Sequence, residues 1–198
     1  GSGPAGVACA QALLERGRTV HLLDAGLRLE PERAKKLEGL KKRLPSTWTK
    51  GELGAYREGM KPDVGGVPAK LVYGSDFAYR DVDAHLRAEY KNVGLRPSFA
   101  QGGLSNVWGA AMLPYLEEDL AEWPVRTASL APHYEAALKL TGMAGCEDSL
   151  ATLFPLYTRE CTELRPSLQA EQFLDSMRRN ERKLAAAGIH FGRSRLAV

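Results

Sequence analysis

The first six residues of the chain, Gly1-Ser2-Gly3-Pro4-Ala5-Gly6, have the spacing G-x-G-x-x-G, and an acid, Asp24, stands eighteen residues after the last glycine. These are the parts that hold a dinucleotide. Gly1 permits a tight turn, Gly3 lets backbone come close to a pyrophosphate, and Gly6 lets the next helix pack closely against its strand. The first turn of that helix offers unbonded amides and about half a positive charge, which suits a diphosphate. Asp24 closes the run Val20-His21-Leu22-Leu23. From there its carboxylate accepts hydrogen bonds from ribose hydroxyls and disfavours a 2′-phosphate. The plainer reading of the same residues is a glycine-rich loop ahead of a structural helix.

A second small-residue cluster lies far along the chain, at Gln101-Gly102-Gly103-Leu104-Ser105-Asn106-Val107-Trp108-Gly109. The adjacent Gly102 and Gly103 allow close backbone approach, while Ser105, Asn106 and Trp108 carry hydroxyl, amide and indole groups for directional hydrogen bonds. By itself this stretch reads as a tight turn beside a buried tryptophan. Paired with the opening motif, it reads as a second wall of one cofactor site.

The elements that must position these residues follow from pattern. Residues 7–16 read as a helix with Ala10 and Leu13 on one face, stopped by Gly17, and 19–24 read as a strand. The expected fold is therefore α/β, a Rossmann-like βαβ domain. The strand that should precede Gly1 is absent, so the chain is expected to begin inside the motif, with its first strand and true N-terminus missing. From Gly26 to about Phe99 the pattern is irregular, a long insertion with one or two helices. Within it, Arg33 to Arg43 reads as a solvated amphipathic helix with Leu37, Leu40 and Leu44 on one face. Asp81 to Tyr90 reads as another, fraying at Gly94. Further on, Ser129–Lys139 is expected to be helical with Pro132 in the first turn, ended by Gly142 and Gly145. Residues 149–167 read as a connection, Gln169–Ala187 as a helix stopped by Gly188, and Ile189–Val198 as a strand. This divides the chain into 1–148, the nucleotide-binding portion, and 149–198, the connection and truncated start of a substrate domain.

Composition narrows the classes. With 44% apolar residues among 198 the chain has material for a core, and a net charge of +3, spread along the sequence, makes no case for nucleic acid. No stretch approaches the roughly 20 apolar residues of a membrane span. Cys9, Cys146 and Cys161 lack paired spacing and a histidine cluster, which points away from metal or a disulfide framework and makes a reducing compartment the default. Localisation itself stays open, cytoplasmic by default, since any export signal would precede Gly1. Cys9 is expected to be a small buried residue of the first helix.

Three segments in order resemble the glucose–methanol–choline family of FAD-dependent oxidoreductases, and the likeness runs along essentially the whole chain. GSGPAG…VHLLDAG resembles the family's FAD motif, LVYGSDFAYR (71–80) with GGLSNVWG (102–109) its middle signature, and EWPVRTASLAPHYEAALKLTGMAG (122–145) the segment that follows. The resemblance implies FAD held by Gly1, Gly3, Gly6 and Asp24 at the diphosphate and ribose, and by Gly102, Gly103, Ser105, Asn106 and Trp108 towards the flavin. The spacing from Gly102 to Trp108 is nearer the pyranose-oxidase-like and gluconate-dehydrogenase-like branch. There the residue before the tryptophan is, in pyranose oxidases, a histidine that bonds the flavin. Val107 in that place implies non-covalent FAD. Leu104 and the early Asn106 depart from the commoner pattern, and Asp24 replaces the commoner glutamate.

The implied reaction is oxidation of a CH–OH group of an alcohol or sugar, with hydride passing to the flavin and an electron acceptor left open. Family members are much longer and carry a catalytic histidine near the C-terminus, partnered by a histidine or asparagine. His21, His85, His133 and His190 match no such position, so no catalytic residue is assigned, and the chain alone is expected to be inactive and prone to aggregate. A nicotinamide-dependent dehydrogenase and a non-catalytic dinucleotide-binding fragment remain the alternatives.

Overall fold

A computed structural model describes residues 1–57, 69–86, 89, 91, 92 and 95–198. It divides into two compact units, Gly1–Trp108 and Gly109–Val198.

In the first unit the chain enters helix α1 (Pro4–Glu15) directly from the opening turn, with Pro4 at its first position, where the missing amide costs nothing. The helix thus starts three residues before the expected Val7. It ends as the sequence predicts: Gly17 adopts φ +67°, and the amides of Gly17 and Arg18 return to the Leu14 and Leu13 carbonyls. Helix α2 (Pro31–Lys41) buries Leu40, which supports the amphipathic reading, although Leu44 lies past its end and is exposed. Helices α3 (Lys50–Arg57) and α4 (Val82–His85) complete the unit. The helix expected over Asp81–Tyr90 is thus one turn, and its expected end at Tyr90 and Gly94 lies outside the described residues. The core gathers Phe77, Ala78, Ala100 and Val107, with Leu29, Val72 and Tyr79 packed against them.

The α/β expectation is overturned. Among the described residues there are helices and isolated β-bridges but no sheet. Residues 19–24 run without a strand partner, and Leu22 and Leu23 face solvent. A strand exists only when a neighbour takes up its amides and carbonyls. Apolar, β-branched composition marks a segment able to pair but does not supply the partner. What the first unit has among its described residues is two isolated bridges, Leu27 to Ala100 (parallel) and Val72 to Ser75 (antiparallel). Cys9 is exposed rather than buried, because α1 buries none of its residues.

In the second unit, helix α5 (Thr127–Thr141) begins two residues earlier than expected, so Pro132 falls inside it rather than in its first turn; at its start the Ser129 hydroxyl accepts the Arg126 amide at 3.3 Å. Gly142 ends it at φ +67°. The helix expected over 169–187 is two helices, α6 (Leu168–Arg179) and α7 (Glu181–Ala186), parted at Asn180. Residues 189–198 form no strand, and Leu196 alone makes bridges, to Ala111 and Ala144. Asp148 ties this segment down: its carboxylate accepts the amides of Leu150 (3.1 Å) and Arg193 (2.8 Å) and the guanidinium of the buried Arg195 (3.1 Å). Burial pushes the Asp148 carboxyl up, but those donors outweigh it and hold it below its ordinary value.

Candidate functional site

The bridge between Leu27 and Ala100 brings the two glycine clusters together. The Leu27 amide donates to the Phe99 carbonyl (3.0 Å), and the Gln101 amide donates to the Leu27 carbonyl (2.8 Å). Asp24 lies three residues before one side of this bridge, and Gly102 two residues after the other. The amide of Gly103 closes onto the Ala100 carbonyl at 2.8 Å, turning the second loop back towards the opening residues.

Ser2 joins the parts. Its amide and hydroxyl both donate to Asp24 Oδ2, at 2.6 and 2.7 Å, and the same hydroxyl accepts the Gly102 amide at 2.7 Å. Asp24 Oδ1 accepts the amide of Gly26 at 2.7 Å. The Ser2 hydroxyl and amide, then the Gly26 amide, hold the Asp24 carboxyl below its ordinary value. An ionised carboxylate has about four acceptor directions. Three are used here, so the direction open to a ribose hydroxyl is on Oδ1.

Geometry holds three of these positions to glycine: Gly6, Gly102 and Gly103. A Cβ on Gly6 would lie 2.0 Å from the Gly1 carbonyl oxygen, so only glycine lets the helix start this close to the turn. A Cβ on Gly103 would lie 3.5 Å from Gly3 Cα, and one on Gly3 would lie 3.9 Å from the Gly102 carbonyl. Gly102 and Gly103 also have φ of +86° and +60°, the left-handed region that favours glycine. The two turns therefore meet backbone to backbone, and a ligand would lie across their seam. Beside it, the first turn of α1 has no side-chain cap, which leaves the amides of Ala5 and Gly6 for an anion, Pro4 having none. The glycine seam and the helix start thus present backbone rather than side chains, and Asp24 keeps one unused acceptor direction on Oδ1.

Other predicted residues serve differently. Ser105 Oγ donates to the Gly102 carbonyl (2.7 Å), and Asn106 Nδ2 donates to the carbonyls of Gln101 (2.9 Å) and Gly103 (2.8 Å). Both side chains brace their own loop rather than reach outwards. Trp108 is half-exposed, its carbonyl accepting Lys70 Nζ at 2.7 Å, and Val107 is turned into the core. A cleft of about 260 Å³ flanks the second loop, lined in part by Leu27, Leu37, Val72, Gln101 and Asn106.

Below the site a charged cluster fixes the 71–80 turn to the start of α2. Glu30 Oε1 accepts Arg80 (2.7 Å) and the Ser75 hydroxyl (3.1 Å), and Arg80 also donates to Asp76 (2.6 Å). The Arg80 guanidinium, above all, lowers the Glu30 carboxyl to about 2. Sequence reasoning missed Glu30, Ser2 and Gly26. The signal for Gly26 was present, an acid two residues before a glycine being an Asx-turn pattern. No local pattern marks the serine, since the motif constrains only its glycines.

The four histidines are spread over separate segments, and His21, His133 and His190 are exposed. No group of histidine, cysteine and acidic residues able to hold a metal occurs among the described residues. Nor is any helix among them long and apolar enough to cross a membrane. No protein family matches the chain, and no curated protein or solved structure is significantly similar to it.

Proposed function

We propose that this chain is the FAD-binding portion of an oxidoreductase that oxidises a CH–OH group of an alcohol or sugar, related to the glucose–methanol–choline flavoenzymes, and that it holds FAD without a covalent bond. The observation that carries the reading is the joining of two clusters a hundred residues apart, Ser2 and Asp24 with Gly102, through one serine hydroxyl. The amides of Ala5 and Gly6 would hold the diphosphate, and Asp24 Oδ1 would take a ribose hydroxyl. Gly3, Gly102 and Gly103 would keep side chains out of the cofactor's path, with Ser105 and Asn106 holding the second loop in shape. Trp108 would lie towards the flavin end. Bound flavin supplies the hydride acceptor, while these residues bind and orient it.

The test is spectroscopic. The protein carrying this chain, purified whole, should show flavin absorbance released by denaturation and bleached by an alcohol or sugar. Bleaching should reverse on adding an electron acceptor. A folded, colourless protein that shows the fluorescence of bound NADH would replace this reading with nicotinamide chemistry. One that takes up FAD but is bleached by no donor would make it a binding module. Asp24→Ala should weaken FAD binding about tenfold or more, from loss of a charge-assisted hydrogen bond.

A further inference from the structure

We infer that Ser2 is a positioning residue: its hydroxyl, set between the Asp24 carboxylate and the Gly102 amide, clamps the second glycine loop onto the opening turn and so assembles the nucleotide cradle in advance of the ligand. The inference rests on the reading of the two clusters as one FAD site.

The direction of each hydrogen bond is fixed by chemistry. An amide can only donate and an ionised carboxylate can only accept. The hydroxyl therefore gives its single proton to Asp24 Oδ2 (2.7 Å) and receives that of Gly102 (2.7 Å), with no alternative arrangement. One oxygen thus connects chain positions 2, 24 and 102. The contact is not redundant with packing: Ser2 is half-buried, and the glycines that meet beside it have no side chains to interlock. Ser2 has a second effect. By occupying Oδ2 with both its amide and its hydroxyl it leaves Oδ1 as the acceptor for the ligand, so one ribose hydroxyl docks on the acid rather than two.

The experiment compares the full chain with Ser2→Ala and Ser2→Thr, the latter keeping a hydroxyl. Two quantities are read: the exchange rate of the Gly102 amide by NMR, and affinity for FAD and for ADP by titration. In Ser2→Ala the Gly102 amide should exchange about tenfold faster and FAD should bind about tenfold more weakly, as expected for one lost hydrogen bond in a loop link. The core amides of Phe77 and Ala78 should be unchanged. ADP, which lacks the flavin end, should lose less affinity than FAD. Ser2→Thr should restore both readouts. Unchanged Gly102 exchange in Ser2→Ala, or FAD affinity equal to that of the unaltered chain, overturns the inference. Where the unaltered chain binds no FAD yet Gly102 exchange responds as stated, the cofactor reading falls and the clamp stands. Should Ser2→Ala fail to fold, Ser2→Thr decides: native Gly102 exchange upholds the clamp, and accelerated exchange refutes it.

Discussion

Gly6 and Gly39 both lie in helices, yet a methyl group would act on them in opposite directions. A Cβ at Gly39 meets nothing within 4 Å, so Gly39→Ala removes backbone freedom from the unfolded chain and should stabilise the protein by about 0.5–1 kcal/mol. At Gly6 the same group would overlap the Gly1 carbonyl, 2.0 Å away, and must push the turn off the helix. Gly6→Ala should cost about 1–3 kcal/mol and lower FAD affinity with it. Urea titration of the two variants checks the contrast. It also marks what was legible in single residues. Where backbone geometry forbids a side chain, the requirement is written as glycine, as at Gly6, Gly102 and Gly103; Gly1 and Gly3 were found by spacing, and a Cβ on either would meet only ordinary contacts, at 3.6 and 3.9 Å. Ser105 and Asn106 were recognised as polar, but type does not give direction, and both proved to face their own loop. Ser2 stayed hidden because its role depends on a partner a hundred residues away.

Helix ends marked by glycine were legible because that signal is local: Gly17, Gly142 and Gly188 end their helices at positive φ, whereas the start of α1 at Pro4 and the break at Asn180 were not foreseen. Strands were not legible, because pairing is non-local: the apolar runs at 19–24 and 189–198 do not state which segment, if any, they join. In place of a sheet, polar ties hold the irregular segments, and two predictions follow at this scale. Asp148→Ala strands the guanidinium of Arg195, whose side chain is 1% exposed, and should destabilise the second unit by about 3 kcal/mol, read by urea titration. Glu30 ties the 71–80 turn to α2, and its carboxyl is depressed to about 2 by Arg80. A depressed carboxyl contributes stability that is whole above the ordinary carboxylate range and is lost as pH falls towards 2. Glu30→Gln should therefore be less stable than the parent near neutrality and converge with it at pH 2. A constant difference between the two across that range would refute the assignment.

Over the whole chain, burial is uneven. Leu23 is 84% exposed, Leu168 70% and Phe173 64%, while α1 buries nothing. Isolated surface apolar residues are ordinary, but the clustering of Val7, Leu13, Leu14, Leu22 and Leu23 in two consecutive segments is not. The chain should self-associate, and Leu14→Gln with Leu23→Lys should raise the monomer fraction in size-exclusion chromatography. A parent chain that already elutes as a sharp monomer would contradict this. The cradle at the centre of the account is tested most directly by titrating FAD, followed by quenching of flavin fluorescence, into the chain and into Gly3→Val and Gly103→Val. One FAD bound per chain, with affinity lost in both variants, is the predicted result. A chain that binds no flavin, or binds it undiminished when either glycine is replaced, would contradict the claim that the two clusters form one site.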